Sequence, residues 1–147
     1  MNYKNIKELK NIHVDEDIWL ILAGSSMDYV NDDFFKNKIV IGQNHTYKKY
    51  SCDYIVMKDC MEEPEHNNAY MFNHNPRVGS FIDKEIFELK DDEIMVSRST
   101  VTSLMHLGAY MGAKNLILCG HDCGKINGNL YFDGYIEKDW VSSGNWG

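Results

Sequence analysis

Ile18-Trp19-Leu20-Ile21-Leu22-Ala23-Gly24-Ser25-Ser26 is the stretch on which the fold turns. From Ile18 to Ala23 the residues are apolar without alternation, the pattern of a strand buried on both faces of a parallel sheet. A glycine and two serines follow at once, and small residues directly after such a strand mark the edge where an α/β sheet places its ligand crevice. Two further runs repeat the arrangement: Ile39-Val40-Ile41 before Gly42-Gln43-Asn44, and Leu116-Ile117-Leu118-Cys119 before Gly120-His121-Asp122. Weaker strands are expected at Tyr54-Ile55-Val56-Met57, ending in Lys58-Asp59, and at Glu93-Ile94-Met95-Val96, ending in Ser97-Arg98-Ser99.

Helical signals lie between these runs. Val101, Leu104, Met105, Gly108 and Met111 fall at helical spacing and predict a helix over Ser99–Gly112, with Ser99 or Thr100 capping its first turn and Gly112-Ala113-Lys114 as a glycine stop. With the strand at Leu116 it forms the second half of a tight βαβ unit. A second helix is predicted from about Ser26 to Phe35, with Asp28, Asp32 and Asp33 in or near its first turns. Residues 60–92 hold both prolines (Pro64, Pro76) and read as an irregular insertion with one short strand near Val78–Ile82. The alternation predicts one α/β domain over residues 1–147, a Rossmann-like three-layer sandwich with a mostly parallel sheet.

Composition agrees with one core. The chain has 147 residues, 44% apolar and 25% charged, enough to bury a core without disulfides or a structural metal. Its 15 basic against 22 acidic residues leave a net charge of −7, which repels a phosphate backbone and argues against a nucleic-acid partner. No apolar run approaches the roughly 18 residues of a membrane span, and the N-terminal stretch has no apolar signal core, so a cytoplasmic protein is expected. These features are compatible with an oligomer. Cys52, Cys60, Cys119 and Cys123 form no C-x-x-C pair and read as reduced thiols. Cys119 and Cys123 offer a metal-ligand set with His121, but ordinary packing of a strand-end cysteine is favoured.

The chemistry is expected in the turns. Gly24-Ser25-Ser26 offers backbone amides to a phosphate. It lacks the further glycines of a dinucleotide fingerprint and the lysine of a P-loop, so neither an NAD site nor a Walker NTPase is supported. The plainer reading is a strand–helix turn capped by Ser25 or Ser26. Ser99 and Thr100 open a second anion site, with Arg98 beside it to pair with a phosphate, a carboxylate or a surface acid.

His121 and Asp122 place an imidazole and a carboxylate at a strand end, the groups that general acid–base or metal chemistry needs. Against this, Asp122 caps the following turn and His121 packs on it. Asn127-Gly128 reads as a tight turn, after which Tyr131, Phe132 and Tyr135 stack on a base or sugar or shelter the sheet edge. Asn44 can read a sugar hydroxyl or a base edge. His13, His45, His66, His74 and His106 lack the spaced partner of a metal ligand, and packing or surface placement is the better reading of each.

LILAGSSMDYV near the start and STVTSLMHLGAYMGAKNLILCGHDCGKINGNLYFDGY near the end together resemble the MptE-like (hydroxymethylpterin diphosphokinase) domain family. The same two-part pattern is similar to that of bacterial lipooligosaccharide sialyltransferases, which hold a cytidine-monophosphate sugar. The later block, Ser99–Tyr135, is the more specific of the two. The resemblance implies that Gly24, Ser25 and Ser26 approach a donor phosphate and that Asn44 contacts the nucleotide or sugar. It further implies that Ser99 and Thr100 line the donor site, with Asp122 at its edge. The family's proline and one glycine are missing from the first turn, no residue is matched to the sialyltransferases' catalytic histidine, and His121 is a positional stand-in for it only.

The function expected is a nucleotide-dependent transferase, glycosyltransferase-like, whose substrate is a nucleotide-activated sugar and whose catalytic residues are His121 and Asp122. The alternatives are a pyrophosphokinase acting on a pterin-like alcohol with Mg²⁺ held by acids such as Asp122 and Asp59, and a non-catalytic nucleotide-binding module.

Overall fold

The computed structural model describes residues 6–58, 70–74 and 99–135. Five strands, β1 (Asp17–Ile21), β2 (Ile39–Gln43), β3 (Tyr54–Lys58), β4 (Tyr70–His74) and β5 (Asn115–Cys119), form one sheet with the order β4-β3-β2-β1-β5. Every pairing is parallel, with Ile18 opposite both Ile39 and Leu116. Together with the helix α1 (Thr100–Tyr110), this is the expected α/β Rossmann-like architecture.

The order carries the functional information. From β1 to β4 each strand is added on the same side of its predecessor, whereas β5 returns to the opposite side of β1. The carboxyl ends of β1 and β5 are adjacent, and this reversal of strand order is a topological switch point.

The alternation along each strand sorts the core into two faces. Ile18, Leu20, Leu22, Ile41, Tyr54 and Val56 point to the face covered by Leu104, Leu107 and Met111 of α1 and by Leu9. Ile21, Val40, Ile55 and Met57 point to the other, where Met27, Phe35, Tyr50, Phe132 and Tyr135 close over them. The middle layer is thus covered on both sides, but one cover is an α-helix and the other is assembled from short 3₁₀ turns and a loop.

Helix α1 stops as its glycine signalled. Gly112 has φ +94°, its N–H donates to the Ala109 carbonyl (3.0 Å), and the Ala113 N–H donates to the Gly108 carbonyl (3.2 Å), the paired bonds of a Schellman end. The amides of Asn11 and His13 donate to the Tyr110 and Met111 carbonyls, which ties this end of α1 to the segment entering β1. The N-terminus of α1 consequently lies at the carboxyl edge of the sheet. Ser99 takes the cap position there, but no side-chain cap bond forms.

Two expectations are corrected. The helix predicted from Ser26 to Phe35 is two 3₁₀ turns, Ser25–Tyr29 and Asp32–Phe35, separated by Val30 in extended conformation. Asn31 explains the break: its side chain accepts from the Asp33 N–H (3.0 Å) and starts a new turn instead of continuing the old one. Within 60–92 the structure shows a strand at Tyr70–His74 that the sequence did not announce; the strands expected near Val78–Ile82 and at Glu93–Val96 lie outside the described residues. Lastly, β5 is not buried on both faces. Among the described residues it is the outer strand of the sheet next to β1, and Leu118 is 37% exposed.

Candidate functional site

At the switch point the loops after β1 and β5 are joined. The ladder between the two strands runs on past their ends: the Leu22 N–H donates to the Cys119 carbonyl (2.8 Å) and the Gly24 N–H to the Gly120 carbonyl (2.9 Å). Asp122 then turns back onto the turn after β1. Its carboxylate accepts the Ser26 N–H (2.8 Å) through Oδ2 and the Ser26 hydroxyl (2.5 Å) through Oδ1.

This arrangement is a helix-type cap supplied from 96 residues away. The cap position itself is Gly24, which has no side chain to offer, and Asp122 provides the acceptor that a capping serine or aspartate would otherwise bring. Gly24 is also the residue that allows it. A Cβ there would collide with the Gly120 carbonyl oxygen and with the Asp122 carboxylate. Asp122 therefore caps the turn after β1, not the one that follows it in sequence. Ser25 is buried (4% exposed), and its hydroxyl donates to the Asn129 carbonyl (2.9 Å).

The remaining sequence candidates are placed as follows. His121 is exposed at the end of β5, and its ring has no hydrogen-bond partner among the described residues. Asn44 starts a 3₁₀ turn (Asn44–Lys48) directly after β2 and is half-buried, with φ +46°. Ser99 is exposed and Thr100 buried at the start of α1, on the other face of the sheet from Ser25 and Met27. The two expected anion sites thus flank one edge from opposite faces and are not neighbours on a common wall. Arg98, Asp59 and Cys60 lie outside the described residues.

The segment after Asp122 folds back over the turn. Asn127 (φ +50°) and Gly128 (φ +82°) form the predicted tight turn, closed by reciprocal bonds between Ile126 and Asn129 at 3.0 Å. Tyr131 then pairs antiparallel with Gly24, and the Phe132 N–H donates to the Ala23 carbonyl (3.0 Å). Phe132 and Tyr135 are buried in the sheet core, so they shelter the sheet, whereas Tyr131 stays half-buried beside Gly24.

Asp28 fastens the far end of this segment by accepting from Lys49 Nζ (3.0 Å) and the Asp133 N–H (3.0 Å). Burial by itself would raise the Asp28 pKa, but these two donors outweigh it and hold the carboxyl below its ordinary value.

His45, read from the sequence as a packing or surface residue, packs. Its ring stands 6.1 Å from both Tyr47 and Tyr135, so the turn after β2 and the segment after β5 form one aromatic wall. A lone histidine after a strand carries no local sign of such company, because Tyr135 is remote in sequence.

No group of three or more His, Cys, Asp or Glu side chains is placed to hold a metal among the described residues. Asp122 has both oxygens engaged by Ser26. Cys119 is half-buried, and burial raises its pKa; Cys52, sealed between β2 and β3, is pushed up to about 12 for the same reason. No helix among the described residues is long and apolar enough to cross a membrane.

No family model, curated protein or solved structure matches the chain.

Proposed function

We propose that the protein is a nucleotide-dependent transferase, glycosyltransferase-like, that takes a nucleotide-activated sugar at the carboxyl edge between β1 and β5. The observation that carries this reading is the reversal of strand order at β1, with the loops after β1 and β5 meeting there through Gly24, Ser26, Gly120 and Asp122. Open parallel sheets bind their ligands at such reversals, because the diverging loops leave a crevice that backbone amides and loop side chains can line. The sequence resemblance to the MptE-like family and the sialyltransferases supports the same reading.

Within it, the residues divide the work. Asp122 holds the Ser26 amide and hydroxyl, so its part is to fix the shape of the turn, and proton handling falls to the exposed imidazole of His121. Tyr131 gives a partly open ring face beside Gly24 on which a base or sugar can stack. Asn44 offers an amide at the end of β2, whereas Ser99 and Thr100, on the opposite face of the sheet, take no part at this turn.

A thermal-shift series against nucleotides and nucleotide sugars, with and without Mg²⁺, tests the proposal. Ligand at a hundred times its Kd stabilises by about 2.7 kcal/mol, so a clear rise in Tm with a sugar nucleotide is expected. His121→Ala should keep that rise and lose transfer. Absence of any rise at millimolar ligand overturns the reading; a rise with ATP only in Mg²⁺ transfers it to a pyrophosphokinase; a rise without turnover in any donor–acceptor screen leaves a binding module.

A further inference from the structure

The segment after Asp122 is held in two different ways along its length. From Phe132 to Tyr135 it is anchored by burial: Phe132 is 2% and Tyr135 3% exposed, and Asp133 is tied to Asp28. From Gly124 to Leu130 it has no such anchor. Leu130 is 42% exposed, and a Cβ added to Gly124 or Gly128 would meet nothing within 4 Å.

What holds this stretch down is polar. Asn129 receives the Ser25 hydroxyl (2.9 Å), and the Asn127 side-chain amide donates to the Tyr29 hydroxyl (3.1 Å), where Tyr29 is 75% exposed. Two side-chain hydrogen bonds, one of them exposed, and an apolar contribution limited to the half-buried Ile126 put the segment at the low end of local stability.

We propose that residues 124–130 form a strap that opens as a unit, swinging on its buried foot at Phe132, and that its closed position covers Ser25. The consequence is specific. Ser25 is buried under the strap with its hydroxyl donated to Asn129, so a ligand can engage Ser25 only after the strap has lifted. Resting on the placement of the ligand crevice at β1 and β5 given above, the strap is the gate to that crevice, and closing it restores the Ser25–Asn129 bond.

Residue-resolved amide hydrogen exchange on the full chain tests this without any ligand. The Ile126 and Asn129 amides should exchange at least roughly a hundredfold faster than Leu22 in the sheet ladder. Tyr29→Phe and Asn127→Gly each remove the same clasp while leaving the turn geometry possible, since glycine accepts positive φ. Both should speed Ile126, Asn129 and Ser25 by roughly threefold to fivefold and leave Leu22 and Phe132 unchanged.

Protection of Ile126 and Asn129 equal to that of Leu22 would overturn the proposal. So would acceleration that spreads to Leu22 and Phe132, or a Ser25 amide that does not follow the strap. If the exchange pattern appears and the nucleotide series gives no stabilisation, the strap stands and the transferase reading falls.

Discussion

The two faces of the sheet are closed by different means. On one, α1 lays Leu104, Leu107 and Met111 across Ile18, Leu20 and Ile41, and these helix residues are neighbours in sequence at helical spacing. On the other, Phe35, Tyr50, Phe132 and Tyr135 meet edge to face, with ring centroids 5.7 Å apart for Phe35–Tyr50 and Tyr50–Phe132 and 5.1 Å for Phe132–Tyr135. Phe35 and Tyr50 come from a stretch remote in sequence from Phe132 and Tyr135, and the backbone beside them is pinned by polar contacts such as the Tyr50 hydroxyl donating to the Met27 carbonyl. A helix brings its own hydrogen bonds to a face. An assembly of short turns must borrow them from distant side chains, and that is why the face of the candidate site is also the face of Asp122, Asp28 and Tyr50.

The largest expected effect tests whether the borrowed face is as integral as the helical one. Phe132→Ala should cost about 4 kcal/mol and Leu107→Ala about 3 kcal/mol in urea unfolding, both by cavity formation. Phe132 is the larger because it also seats the foot of the strap. A loss at Phe132 well below that at Leu107 would mean that the aromatic cover is dispensable to the sheet.

Next in size is Gly24→Ala, at about 2 kcal/mol. The added methyl meets the Gly120 carbonyl, a backbone atom that cannot swing aside, as well as the Asp122 carboxylate. The same measurement checks it, and a variant as stable as the parent would show that the loops after β1 and β5 are not in close contact.

The smallest effect belongs to the helical face. His106 is buried in α1, and burial holds its imidazole below the ordinary value of 6.5. As pH falls below 6.5 the unfolded chain takes up a proton that the folded chain refuses, so this residue lowers stability toward acid and contributes no pH dependence well above 6.5. Unfolding midpoints measured from about pH 7.5 down to about pH 5.5 should therefore fall more steeply for the parent than for His106→Gln. Parallel slopes would rule out the contribution.

Much of this was legible in local pattern. The unbroken apolar runs at Ile18, Ile39 and Leu116 are strands, the weaker run at Tyr54 is too, and Val101, Leu104 and Met111 mark α1 down to its glycine end. Asn127-Gly128 is a turn because both positions need positive φ, which those residue types tolerate. The helix predicted over Ser26–Phe35 fails for an equally local reason, the Asn31 side chain that opens a fresh turn. The missed strand at Tyr70–His74 has short, mixed polarity and no alternation to announce it.

What the sequence by itself determined, then, is the set of strands, the main helix and the small-residue turns at the strand ends, since each depends on side-chain periodicity or on backbone preferences within a few residues. Tertiary structure alone decided that β5 pairs with β1 on the side away from β2, that Asp122 serves Ser26, that His45 meets Tyr135, and that Ser25 and Ser99 stand on opposite faces. Those are pairings between groups far apart along the chain, and a hydrogen bond or ring contact spanning 96 or 90 residues leaves no trace in the spacing of either partner's neighbours.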